Sequence, residues 1–297
     1  MSLQQKLTGT GIAIITPFNE DRSIDWAAFE NLINFWIENK VEYLVAIGTT
    51  GESATQTREE EQEVFDFVKK VTGKRVPLVA GVGGNDTHEV LDAFKKMKLD
   101  GFDAILSVSP YYNKPRQEGI YQHYKALNDA APLPIIMYNV PGRTGMSVSV
   151  ETTLRIAHDC NNIFATKEAS GSFEQINQIM KNKPSDFMLI SGDDAITLPM
   201  IACGAKGLIS VIANAYPKEY SDMVRLCLAG KFEEALPLHL KYLDMVDALF
   251  KEGSPSGVKY VLNKMGYCKN TMRLPVVPVS QAHEAKLDGL MAAVANR

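Results

Sequence analysis

Eight short apolar runs rich in β-branched residues recur along this 297-residue chain, and they restrict its folding more than any other feature. The runs are Gly11–Thr16, Tyr43–Gly48, Pro77–Gly81, Ala104–Ser107, Ile135–Tyr138, Ile163–Lys167, Phe187–Ser191 and Gly207–Ser210. Their last residues fall 19 to 33 positions apart, room for one strand and one helix per step. Runs apolar on both faces mark parallel strands covered by helices on the outside. Eight such units predict an α/β fold, the (β/α)8 TIM barrel. A doubly wound open sheet is the rival, and it rarely needs eight equivalent units.

The segments between the runs carry helix signals of their own. Thr57 with Glu60 reads as a capping box ahead of the apolar face Val64, Phe67, Val68 and Val71. Asp86 with Glu89 and Ser172 with Gln175 repeat the pattern, and Trp26, Phe29, Ile33 and Trp36 stripe the first long helix. Beyond about Tyr216 the strand signal stops. Gly230 reads as a helix C-cap. Leu236, Leu240, Leu243, Val246, Leu249 and Phe250 follow at helical spacing, as do Val258–Met265 and Ala285–Ala295. The expected organisation is a barrel over residues 1–230 and a small all-helical C-terminal region over 231–297.

Charge and composition remove several function classes. A net charge of −4 with no basic run leaves no footprint for nucleic acid. No apolar run approaches the roughly 20 residues that span a bilayer. The segment Met1–Lys6 lacks the apolar core of a signal peptide, so no membrane association and a cytoplasmic location are expected. Cys160, Cys203, Cys227 and Cys268 lie far apart with no Cys-x-x-Cys pair, and reduced thiols are expected. The five histidines show no ligand spacing, and Gly81-Val82-Gly83-Gly84 departs from the dinucleotide-binding fingerprint.

The residues able to do chemistry stand at or just after the ends of the runs, where barrels of this type place their active sites. Lys167 ends the sixth run. A lysine there is costly unless its charge is neutralised or used, and burial lowers its pKa from about 10.4. A neutral amine condenses with a ketone to an imine. The plain alternative is a lysine that snorkels to a charged partner. Tyr138 shares strand parity with Ile136, and Lys167 with Ala165 and Ile163, so both are expected to project into the barrel mouth. A phenol beside an amine would make a proton shuttle.

Gly48-Thr49-Thr50-Gly51-Glu52-Ser53 presents backbone amides and hydroxyls suited to a small carboxylate, with a tight turn as the plain alternative. Ser109-Pro110-Tyr111-Tyr112-Asn113-Lys114-Pro115 is a stiff aromatic loop, usable as a lid or an interface or simply packed. Arg143 sits in a Gly/Pro-constrained loop where its fork could grip a carboxylate or form a surface salt bridge. Gly192-Asp193-Asp194 invites a metal reading, but capping of the next helix is the expected role.

Gly48-Thr49-Thr50-Gly51-Glu52-Ser53, Pro110-Tyr111-Tyr112-Asn113, Tyr138-Asn139-Val140-Pro141 and Lys167-Glu168-Ala169 occur in this order, and together they resemble the pyruvate-dependent class I aldolase barrels, the N-acetylneuraminate lyase family. The likeness runs along essentially the whole barrel and into the helical tail. Thr50 and Arg143 make the chain similar to members that join pyruvate to aspartate semialdehyde for lysine and diaminopimelate biosynthesis. Sialic acid lyase-like relatives have a serine at the first threonine position and lack the arginine.

The resemblance implies that Lys167 forms a Schiff base with pyruvate and that Thr50 and nearby amides hold its carboxylate. Tyr138, Thr49 and Tyr112 would form a hydroxyl relay, Tyr112 reaching into a partner subunit. Arg143 would bind the carboxylate of the aldehyde, and the backbone carbonyl of Ile209 would lie near the imine. It also implies no metal or organic cofactor and a homotetramer of two tight dimers. Ser53, Ala54, Asn85, Glu89 and Tyr111 match the family's lysine feedback site. Arg58 and Glu61 depart from it where regulated members commonly carry histidines, which implies weak or absent feedback. Two alternatives stand beside this one: an aldolase acting on a sugar-acid aldehyde, and a non-catalytic barrel, which should have lost the lysine or a relay hydroxyl.

Overall fold

The structure, a computed structural model, describes residues 1–295, so the last two positions of the expected C-terminal region lie outside the described residues. Eight parallel strands close into a barrel in chain order. They are β1 (Gly9–Ala13), β2 (Tyr43–Ala46), β3 (Leu78–Gly81), β4 (Ala104–Val108), β5 (Ile135–Asn139), β6 (Ile163–Glu168), β7 (Met188–Ser191) and β8 (Gly207–Ser210). The TIM barrel expected from the sequence is therefore the fold. Strand and run overlap in every case, with ends differing by up to three residues.

A helix follows each strand: Trp26–Glu38, Arg58–Thr72, Thr87–Lys96, Gln117–Ala130, Val150–Asp159, Phe173–Asn182, Thr197–Ala202 and Pro217–Leu228. The shortest step between runs, 19 residues, leaves room only for the six-residue helix Thr197–Ala202. Thr57 and Glu60 form the complete capping box, each side chain accepting from the other's backbone N–H at 3.3 and 3.1 Å. Such a cap contributes about 1 kcal/mol. Asp86 and Ser172 cap their helices without a reciprocal bond. Instead of closing its box, Gln175 turns its side chain towards Glu168.

The core has two layers. One fills the barrel with Tyr43, Val45, Ile136, Ile190 and Ile209, and the other lies between strands and helices around Phe29, Trp36 and Phe65. Leu7, just after the helix Leu3–Lys6, is buried in the inner layer and closes the amino-terminal end of the barrel. The strand-parity expectation needs one correction. Ile135 pairs with Ile163 but Ile136 pairs with Ala165, so Phe164 is an extra residue in β6. This bulge sends Ile163 into the outer layer while Ala165 stays inside. Lys167 keeps the inward parity of Ala165 only because it lies beyond the bulge.

After Gly230 come the helices Phe232–Lys251, Ser256–Lys264 and Gln281–Ala295. Gly230 (φ 75°) follows the end of Pro217–Leu228, and we propose the boundary between barrel and C-terminal region there. Phe232–Lys251 forms as its leucine spacing predicts, yet Leu236, Leu240 and Phe250 are 44%, 55% and 39% exposed. Its buried side is Ala235, Tyr242, Met245, Val246 and Leu249. Tyr242 turns that side inwards, its ring 4.9 Å from Tyr216 and 5.9 Å from Tyr220. Among the described residues no helix is long and apolar enough to cross a membrane.

Candidate active site

The parallel ladder sets the centre of the site. Tyr138 on β5 and Lys167 on β6 are direct register partners, and Lys167 also pairs with Ile190 on β7. Side chains of one parity on adjacent parallel strands point the same way, so phenol and amine share the barrel interior. The Lys167 nitrogen lies 4.2 Å from the centre of the Tyr138 ring. Gly192, just after β7, makes room for the lysine. A Cβ there would sit 3.1 Å from both Cγ and Cε of Lys167 and 2.8 Å from the Ala169 methyl.

Lys167 is 5% exposed. Burial draws its ammonium down to about 7, with the Asp194 carboxylate opposing and the Arg143 guanidinium assisting. A substantial share of the amine is then uncharged at neutral pH, as imine formation requires. Burial pushes the Tyr138 phenol up to about 12, with Arg143 opposing. Tyr138 therefore stays protonated at neutral pH and is a donor rather than a phenolate.

The other expected residues are placed unequally. Ile209 on β8 is buried in the inner layer with Tyr138 and Ile190. Thr49 and Thr50 form a 3-10 turn with Gly51 beyond the carboxyl end of β2, Thr50 buried and Thr49 open to solvent. Arg143, in the short helix Pro141–Thr144 after β5, is exposed, yet its charge reaches both Lys167 and Tyr138. Tyr112 is not brought to this centre within one chain. It is 88% exposed, on a backbone with φ 72°.

Residues read from the sequence only as helix caps or as motif members complete the surroundings. Asp193 caps the turn Asp194–Ile196, as expected of an acid after a strand. Asp194 does something else: its buried carboxylate accepts from Ser210 Oγ at 2.6 Å and from the Val211 and Ile212 amides at 3.0 and 3.3 Å. It ties β8 to the end of β7 and fixes a buried acid whose charge is felt at Lys167. Burial raises its carboxyl to about 6, against these three donors. Glu168, of opposite parity to Lys167, accepts from Asn139 Nδ2 (3.0 Å), Gln175 Nε2 (3.1 Å) and the Ser170 amide (2.7 Å). That network locks the ends of β5 and β6 together. The motifs contained Asn139 and Glu168, but only pairing across the ladder reveals their joint role. Among the described residues no three His, Cys, Asp or Glu side chains are grouped as a metal ion would need.

A model of the dihydrodipicolinate synthetase family matches residues 6–294. A 4-hydroxy-tetrahydrodipicolinate synthase from Parabacteroides distasonis is 51% identical over 92% of this chain and 92% of its own length. The crystal structure of dihydrodipicolinate synthase from Aquifex aeolicus superposes with a TM-score of 0.93 at 40% identity, covering 96% of this chain and 97% of the other. The chloride-inhibited dihydrodipicolinate synthase of Acinetobacter baumannii complexed with pyruvate gives 0.94 at 38% identity, covering 97% and 99%.

Proposed function

The chain belongs to the dihydrodipicolinate synthetase family, and we propose that it condenses pyruvate with L-aspartate 4-semialdehyde to give 4-hydroxy-tetrahydrodipicolinate. One observation carries the mechanism: an amine drawn towards neutrality by burial, held against a protonated phenol inside the barrel mouth. The Lys167 nitrogen attacks the ketone carbon of pyruvate, and the carbinolamine loses water to give the imine. Tyr138 donates to the departing oxygen and is reprotonated through Thr49 and through Tyr112 of a partner subunit. Loss of a methyl proton gives the enamine, whose carbon attacks the aldehyde. Attack of the substrate's own amine on the imine carbon closes the ring and frees the lysine.

Thr50 and the neighbouring amides hold the pyruvate carboxylate, Arg143 holds that of the aldehyde, and the Ile209 carbonyl faces the imine. The protonated imine is itself the electron sink, so the scheme needs no metal or organic cofactor. An 88% exposed Tyr112 on a left-handed backbone suits a residue that completes a partner's site, and a homotetramer of two tight dimers is proposed on that basis. The sugar-acid alternative is not favoured, because relatives spanning nearly the whole chain carry the synthase name.

The test is borohydride reduction in the presence of pyruvate, followed by peptide mapping and by turnover with aspartate semialdehyde beside sugar-acid aldehydes. An adduct on Lys167 and preference for the semialdehyde are expected. No adduct, or one on another lysine, overturns the scheme. Arg58 pairs with Glu61 at 2.7 Å, which supports the expectation of weak lysine feedback. Strong inhibition at low lysine concentration would refute it.

A further inference from the structure

The loop between Ile47 and Glu52 has a non-glycine residue in the left-handed region at each end. Ile47 has φ 57° and Glu52 has φ 58°. For a β-branched residue in particular this backbone is strained, and it persists only where the surroundings over-determine it. At the Ile47 end the constraint is steric. A Cβ on Gly81 would lie 2.1 Å from the Ile47 carbonyl oxygen, so β3 takes that carbonyl into a space only glycine leaves. At the Glu52 end the constraint comes from far along the chain. Glu52 Oε1 accepts from Lys259 Nζ at 2.5 Å, across 207 residues, and Glu52 Oε2 accepts from the Arg273 amide at 3.0 Å. Lys259 also donates to the Thr271 carbonyl at 3.0 Å, and its ammonium lies 4.2 Å from the Phe18 ring centre. The Glu52 and Lys259 side chains are 1% and 0% exposed.

A buried ion pair is a poor source of net stability, because desolvation consumes most of the attraction. What it provides is geometry, since both charges are satisfied in only one loop position. We propose that Lys259 is a positioning residue for the Thr49–Thr50 turn. Acting through Glu52, the C-terminal helical region holds the carboxylate-binding loop in its competent conformation. This inference rests on reading that turn as the site of the pyruvate carboxylate.

The test uses the full-length protein, with Lys259→Met and with the charge-neutral double variant Glu52→Gln/Lys259→Met, which avoids leaving a bare buried carboxylate should the single variant unfold. Two readouts are taken. Hydrogen exchange of the unliganded protein should quicken at least tenfold at the Gly51 and Glu52 amides, which donate to Gly48 and Thr49 at 3.0 Å, and stay unchanged over 141–145 after β5. The pyruvate concentration for half-maximal borohydride trapping should rise at least tenfold in the double variant, while the KM for aspartate semialdehyde changes less than threefold. A folded double variant with wild-type loop exchange and wild-type pyruvate dependence overturns the proposal. So does an equal loss in both substrates with uniformly faster exchange, the sign of a general structural role. Should the wild-type protein fail to trap pyruvate, the proposed function falls, and the exchange arm alone decides whether Lys259 holds the loop.

Discussion

Lys167 in the barrel mouth and Lys259 at the seam with the C-terminal helices are both buried, at 5% and 0% exposure, and they differ in what their charge meets. Lys259 meets a carboxylate at 2.5 Å and a carbonyl at 3.0 Å, so its charge is spoken for. Burial draws its ammonium down, with Glu52 pulling back. Lys167 has no carboxylate at ion-pair distance among the described residues. It feels Asp194 only through space, and Arg143 pushes the other way. Burial alone therefore does not make a lysine reactive. What matters is burial without a partner, next to a proton donor and at the open end of the barrel.

Four experiments sharpen or break this contrast. Lys167→Ala should abolish borohydride trapping and lower turnover by about 10³-fold or more, since the covalent route disappears. Retained trapping would mean another amine does the chemistry. Paired lysine-to-methionine changes come next. Lys259→Met strands the Glu52 carboxylate and should cost about 3–5 kcal/mol in denaturant unfolding at pH 7. Lys167→Met should stabilise the protein at the same pH. The sign follows from linkage: the folded amine titrates at about 7 and the unfolded one at 10.5. The unfolded chain therefore binds the extra proton across that window, and wild-type stability rises with pH from about 7 to 10.5. The gain from Lys167→Met should thus be full below pH 7 and fade towards 10.5. Changes of the same sign at both lysines would erase the distinction.

The third experiment isolates the second substrate. Arg143→Ala should leave the final yield of pyruvate trapping intact and lower kcat/KM for aspartate semialdehyde roughly 10- to 100-fold, the worth of a charge-assisted hydrogen bond. Equal damage to both would reassign Arg143. The smallest effect is expected from Asp194→Asn. Removing the anion that raises the Lys167 pKa should move the acid limb of the trapping rate to lower pH, whereas Arg143→Ala should move it to higher pH. A limb that stays put in both variants would show that neither charge is felt at the amine.

Much of the mouth is legible in the sequence. Lys167 and Tyr138 announce themselves as ends of apolar runs, whereas Ile209 enters only through the family resemblance. The Thr49–Thr50 turn is legible from its flanking glycines. Asp194 was hidden, because an acid after a strand looks the same whether it caps a turn or reaches across to Ser210 on the next strand. Lys259 was hidden more deeply, since its partner Glu52 is 207 positions away and its own helix reads as ordinary. Leu236 and Leu240 misled in the other direction: their spacing was right for a helix and silent about which side would be covered.

Sequence by itself determined the number of βα units, the order of the strands and the candidate nucleophile. These follow from short-range periodicity and from the chemistry a residue type carries wherever it sits. Only the tertiary structure decided which buried lysine stays unpaired, where the bulge at Phe164 resets strand parity, and which face of Phe232–Lys251 is buried. Those outcomes depend on distances between parts of the chain remote in sequence, and burial, pairing and pKa follow from such distances alone.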